Sequence, residues 1–126
     1  MLTDSRLIAF GATHDGARAR RFYQTTLGLN VISDDDYALA LDAGGTVLRI
    51  QKVKHFTPHP FTALGWQVPD IATTVVALRG RGIVFETFPG MEQDHHGIWH
   101  SPNGTRVAWF KDPDGNILSL TQFSND

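Results

Sequence analysis

The sequence predicts an α+β fold of two tandem βαβββ modules, and three observations predict it. Apolar residues switch from strand to helix periodicity twice along the 126 residues, once after Ala12 and again after Val68. Each helical stretch starts behind an aspartate, Asp15 or Asp70, and stops at glycine. The segments Val47-Leu48-Arg49-Ile50-Gln51 and Ile117-Leu118-Ser119-Leu120-Thr121 share one pattern, so an internal repeat is the economical account.

Leu7 to Ala12 is a short apolar run and reads as the first strand. After His14-Asp15-Gly16, the residues Ala17, Arg20, Phe22, Tyr23 and Leu27 recur at helical spacing until Gly28 stops them. Strands follow from Asn30 to Asp34, Tyr37 to Leu41 and Thr46 to Lys52, with Gly44-Gly45 as the hairpin turn between the last two. His55 to Pro60 carries two prolines and no periodicity, and is read as a linker inside a single domain. Module one then covers about residues 5–54, the linker about 55–60 and module two about 61–124. Thr62 to Val68 restarts the pattern as a strand. Asp70 caps a helix with Ile71, Val75 and Leu78 on one face, and Gly80 to Gly82 ends it. Strand candidates Ile83 to Phe88, His96 to Ser101, Arg106 to Phe110 and Ile117 to Gln122 complete the second module, with Asn103-Gly104 expected as a type I′ turn.

Composition narrows the partners. A hydrophobic content of 41% supports one core, and a net charge of −2 with scattered Lys and Arg argues against nucleic acid or an anionic membrane. No run approaches a membrane span. There is no cysteine, hence no disulfide framework, and no signal-peptide pattern opens the chain. A cytoplasmic setting is the expectation.

Asp112-Pro113-Asp114-Gly115 has the chemistry of a tight turn, since Pro113 pre-sets φ, the carboxylates accept N–H bonds and Gly115 admits positive φ. It releases the strand Ile117-Leu118-Ser119-Leu120. With the paired βαβββ pattern, this wording resembles the vicinal oxygen chelate superfamily, which includes glyoxalase I, extradiol dioxygenases, methylmalonyl-CoA epimerase and the fosfomycin and bleomycin resistance proteins. The resemblance covers almost the whole chain. It implies that the modules form a curled, cup-like mixed sheet with helices on the outer face, and that the chain forms a homodimer.

The resemblance also implies four inward metal-ligand positions, which fall on Ile8, Arg49, Ala63 and Ser119. Divalent cations need carboxylate or imidazole donors, and this set offers none, so neither a metal nor another cofactor is expected. Strand alternation makes Leu48, Ile50, Leu118 and Leu120 the buried set. The cup would instead be lined by Phe10, Arg49, Gln51, Gln67 and Ser119 among others. Arg49 is the first candidate ligand anchor, because a guanidinium in an apolar concavity needs an anion. Pairing with an internal acid or reach to solvent at the rim is the alternative.

His95, His96 and His100 cluster in the second module. On an extended strand His96 and His100 lie about 13 Å apart, too far to share an ion unless the Gly97 region bends. His96 and His100 are the candidate catalytic residues by acid–base chemistry. His14, His55 and His59 read as structural or exposed. Trp99 and Trp109 are candidates for a ligand wall, with core packing the competing reading, and Asp34-Asp35-Asp36 reads as a solvated turn. Together these features point to a metal-independent small-molecule binding protein of the bleomycin-resistance type, its ligand anionic or aromatic. The alternative is an enzyme of the same superfamily (lyase, isomerase or dioxygenase-like) with a relocated metal or histidine chemistry.

Overall fold

Asp15 and Asp70 start the two helices in matching geometry. In the computed structural model, which describes residues 1–124, their backbones sit at φ −140°, ψ 96° and φ −142°, ψ 99°. Each side chain accepts a hydrogen bond three residues on, from Arg18 N–H at 3.1 Å and from Thr73 N–H at 3.2 Å. Gln122, from the last strand, satisfies another of the second helix's free donors by accepting Ile71 N–H at 2.9 Å.

Contacts divide the chain into two compact units, one up to Pro58 and one from His59 onward. The first holds β1 (Ile8–Thr13), α1 (Gly16–Arg20), β2 (Asn30–Asp34), β3 (Ala38–Ala43) and β4 (Thr46–Lys52). Its four-stranded mixed sheet has the order β1-β4-β3-β2, with β1 parallel to β4 and the other pairs antiparallel. Leu39, Leu41, Leu48 and Ile50 are at most 1% exposed and form its core with Ala19, Phe22 and Tyr23.

The second unit repeats the plan with β5 (Thr62–Gln67), α2 (Ile71–Arg79), β6 (Trp99–His100), β7 (Arg106–Lys111) and β8 (Ile117–Gln122), in the order β5-β8-β7-β6. Ile71 and Val75 of α2 are buried, and α2 packs on β7 and β8, where Ala108, Phe110, Leu118 and Leu120 are buried too. The α+β, two-module architecture expected from the sequence is the one adopted, and each sheet is open.

Three local expectations need correction. The helical spacing up to Leu27 hides a change of winding: after Arg20 the chain widens into a π-helical stretch (Arg21–Thr26), closed by Leu27 N–H to Phe22 O at 2.9 Å. Phe22 and Tyr23 are both buried there, edge to face at 5.0 Å.

Ile83 to Phe88 is not a strand, and His96 to Ser101 shrinks to Trp99–His100. Phe85 makes one antiparallel bridge to Phe110, and Glu86 N–H donates to Trp109 O at 2.8 Å. The far edge of β7 is therefore covered in two pieces, Phe85 at one end and β6 at the other. Gln93 holds the intervening loop: its Oε1 accepts Phe88 N–H at 2.8 Å, and its Nε2 donates to Glu86 O at 3.0 Å and Gly97 O at 2.8 Å.

Asn103-Gly104 is not a type I′ turn, because no described non-glycine residue has positive φ. The turn instead has Pro102 and Asn103 at its centre and Gly104 at φ 89°, with Gly104 N–H donating to Ser101 O at 3.0 Å. Asp112 to Gly115 repeats it, with Gly115 at φ 93° and its N–H donating to Asp112 O at 3.0 Å. In each turn the first side chain accepts the N–H four residues on: Ser101 Oγ from Thr105 at 3.1 Å, and Asp112 Oδ1 from Asn116 at 2.9 Å.

Asp34, Asp35 and Asp36 are exposed, in keeping with the solvated reading, and Asp34, at the end of β2, is in addition an ion-pair hub. It pairs with Arg20 at 3.0 Å and Lys52 at 2.5 Å, and hydrogen bonds from Lys52 and then Arg20 hold its carboxyl below the ordinary value.

Candidate functional site

The face of the first sheet that carries Arg49 is built by strand register. Phe10, Arg49 and Ala40 stand in one row across β1, β4 and β3, and Ala12, Gln51 and Ala38 in the next. Side chains alternate, so Leu48 and Ile50 are buried on the opposite face while Arg49 is half-buried and Gln51 exposed. Phe10 is 52% exposed and Ile8 46%. An apolar surface therefore flanks one guanidinium.

Arg49 has no hydrogen bond or ion pair among the described residues. Asp35 feels its charge, but the Asp35 carboxyl is lowered first by hydrogen bonds from Tyr37 N–H and Ala38 N–H, at 2.8 and 3.0 Å. That carboxylate serves its own turn. Of the readings the sequence left open for Arg49, which are a ligand anchor, pairing with an internal acid and reach to solvent at the rim, the structure shows no pairing with an internal acid.

In the second sheet Gly65, Ser119 and Trp109 form the corresponding row, and Gln67, Thr121, Val107 and Trp99 the next. Ser119 is buried, Gln67 is exposed, and both tryptophans are half-buried. Trp109 lies 6.4 Å from Trp99 and meets Phe88 edge to face at 5.5 Å. The two indoles form an aromatic strip on this face of the sheet.

The four positions that the sequence resemblance marks out as metal-ligand positions offer no donor set for a metal here. In module one they are Ile8 and Arg49, which are not register partners: Ile8 pairs with Val47, and Arg49 with Phe10. In module two Ala63 falls in a register shift between Thr62 and Leu64, and the partner of Ser119 is Gly65. A hydrocarbon, a guanidinium, a methyl and a hydroxyl supply no carboxylate or imidazole donor.

The histidines separate into two groupings. His95 and His96 lie with ring centroids 4.0 Å apart and planes tilted by 40°, and His96 Nδ1 is buried without a hydrogen-bond partner among the described residues. His100 Nε2 lies 3.2 Å from Asp94 Oδ2. Asp94 Oδ1 accepts His96 N–H at 2.8 Å and Ile98 N–H at 3.0 Å, the bend at Gly97 (φ 80°) bringing them round. Burial opposes ionisation of Asp94, yet hydrogen bonds from Ile98, His100 and His96 outweigh it and hold the carboxyl below its ordinary value. Among the described residues no three His, Asp or Glu side chains are placed to hold one metal ion. Sequence reasoning missed Asp94; its only signal was its place just before the histidine pair. His14 packs on Phe56 at 4.5 Å, His59 stacks on Phe61 at 4.9 Å, and His55 is exposed.

Comparison with known proteins agrees with this architecture. Residues 12–40 match the family model described as bleomycin resistance protein-like N-terminal. No curated protein matches the chain by sequence. Among solved structures, the antibiotic binding protein TnmS3 from a Streptomyces species superposes with TM-score 0.74 at 24% identity, covering 98% of this chain and 99% of that one. Lactoylglutathione lyase from Agrobacterium tumefaciens gives 0.73 at 15%, covering 95% of each chain. A glyoxalase/bleomycin resistance protein/dioxygenase from Alicyclobacillus acidocaldarius gives 0.72 at 18%, covering 98% of this chain and 94% of that one. The chain has the vicinal oxygen chelate fold.

Proposed function

We propose that this protein binds a small molecule carrying a carboxylate or phosphate, that Arg49 is the anchor, and that no resident metal takes part. The observation that carries the reading is the unpaired, half-buried Arg49 guanidinium beside exposed Phe10. A planar fork of donors in partly apolar surroundings suits an anion held in two-point fashion, with an aromatic face beside it for the ligand's body. Gln51, one row on, offers a neutral donor and acceptor. In the second module, Ser119, Gln67, Trp99 and Trp109 are proposed as ligand contacts on that module's own sheet face. Support for binding without turnover comes from an antibiotic binding protein of the same fold.

A second reading rests on His100. Its contact with Asp94 is the arrangement that orients an imidazole for proton transfer, and a lyase shares the fold. Association as a homodimer and a cytoplasmic setting are carried as parts of the proposal; sedimentation velocity tests the first. No helix among the described residues is long and apolar enough to cross a membrane.

The test is a thermal-shift screen of aromatic and aliphatic carboxylates and phosphates, each beside its neutral amide or alcohol. Stabilisation by anions and not by their neutral counterparts is expected. A hit that is consumed, and is no longer consumed by His100→Gln, would move the assignment to the enzyme reading.

A further inference from the structure

The loop that splits the edge of the second sheet frames a site of different chemistry. An open hollow of about 780 Å³ lies against it, lined by Met91, Glu92, Asp94, Trp99, His100 and Pro102 among others. Its polar groups can be assigned one by one. The neighbouring Gln93 amide spends both its ends on backbone groups of the loop. Asp94 Oδ1 is taken by two backbone N–H groups and Oδ2 by the His100 ring. With Nε2 against a carboxylate, that nitrogen is the N–H donor, and Nδ1 of the neutral ring is left as an acceptor. Glu92 is exposed and makes no hydrogen bond or ion pair among the described residues. No lysine or arginine lines the hollow.

Of the lining side chains left with free polar groups, Glu92 is the only carboxylate, His100 Nδ1 is an acceptor and the Trp99 indole N–H is a donor; with Asp94 and Glu92 both acidic and no lysine or arginine in the lining, the hollow favours a ligand that brings donors and a positive charge. Trp99 supplies a half-buried aromatic face and Met91 a polarisable side chain beside it. We propose that this hollow binds a small organic cation, an ammonium or guanidinium group on an aromatic or aliphatic body, with Glu92 as its counter-charge and Trp99 as its wall. The site lies wholly in the second module and does not depend on Arg49.

The probe is benzylammonium, with benzyl alcohol as its neutral match, titrated into the full chain while the Trp99 indole N–H signal is followed by NMR; Trp99→Phe assigns the signal. Saturable, low-millimolar perturbation is expected, with benzyl alcohol about fivefold weaker or more. Glu92→Gln is expected to weaken benzylammonium by a similar factor, and Arg49→Ala to leave it unchanged. No saturable shift, or equal binding of the alcohol, or equal binding by Glu92→Gln, overturns the proposal. Failure here leaves the Arg49 reading untouched, because that reading is tested with anions and at Arg49, which is no part of this hollow.

Discussion

A Cβ on Gly65 would stand 2.6 Å from the Ser119 hydroxyl oxygen, so the two residues are matched across the parallel β5–β8 pair. The fold's metal-dependent members are expected to carry a glutamate where Ser119 stands. Here the position holds a small, buried hydroxyl whose neighbour has no side chain. Gly65→Ala is expected to displace that hydroxyl and cost about 1 kcal/mol, as overpacking does. Adding Ser119→Ala should recover most of the loss, which a double-mutant cycle by urea denaturation measures. Additive losses would mean that the two side chains do not meet.

Gln93 replaces backbone pairing where the second sheet's edge strand is interrupted. Gln93→Ala strips partners from Phe88 N–H, Glu86 O and Gly97 O. A loss of about 2 kcal/mol is expected from leaving part-buried groups unpaired. Hydrogen exchange should rise at the Phe88 amide and stay unchanged in β8.

How much of this was legible follows from the range of each interaction. Asp15, Asp70, Gly44-Gly45 and the Asp112 turn were readable because their chemistry is local, completed within a few residues of the side chain. Leu48 and Leu118 were readable from alternation, and with them the faces that Arg49 and Ser119 occupy. Ile83-Val84-Phe85 has the composition of a strand, but only Phe85 meets β7, a fact set by the course of the loop up to Gly97. The π-helical stretch was illegible because Phe22 and Tyr23 fit helical spacing whether the turn is wide or narrow. Asp94 escaped notice because its partner His100 lies beyond the Gly97 bend.

Asp34 ties acid stability to module one. Its carboxyl is lowered in the folded chain by Lys52 and Arg20, so the unfolded state takes up its proton at a higher pH than the folded one. The stabilisation is therefore present above the ordinary carboxylate range and is lost as pH falls through the lowered value. Wild type and Asp34→Asn should differ by about 0.5 kcal/mol near pH 7, an exposed-pair figure, and converge in acid. Denaturation midpoints from neutral pH down to about pH 2 test this, and a gap that stays constant would remove Asp34 as its cause.

Metal removal should change nothing. With Ile8, Arg49, Ala63 and Ser119 at the expected ligand positions, overnight chelation is expected to leave the melting temperature where it was. A clear fall after chelation, restored by one divalent ion per chain, would show that a donor set exists elsewhere.

Arg49 is the residue on which the account stands, and the direct measurement is calorimetric titration of the tightest anionic ligand into wild type, Arg49→Lys and Arg49→Ala. Loss of a charge-assisted, two-point contact of about 1.5–3 kcal/mol predicts roughly ten- to hundredfold weaker binding by Arg49→Ala, with Arg49→Lys in between. Equal affinity for wild type and Arg49→Ala, with both proteins folded, would contradict the central claim.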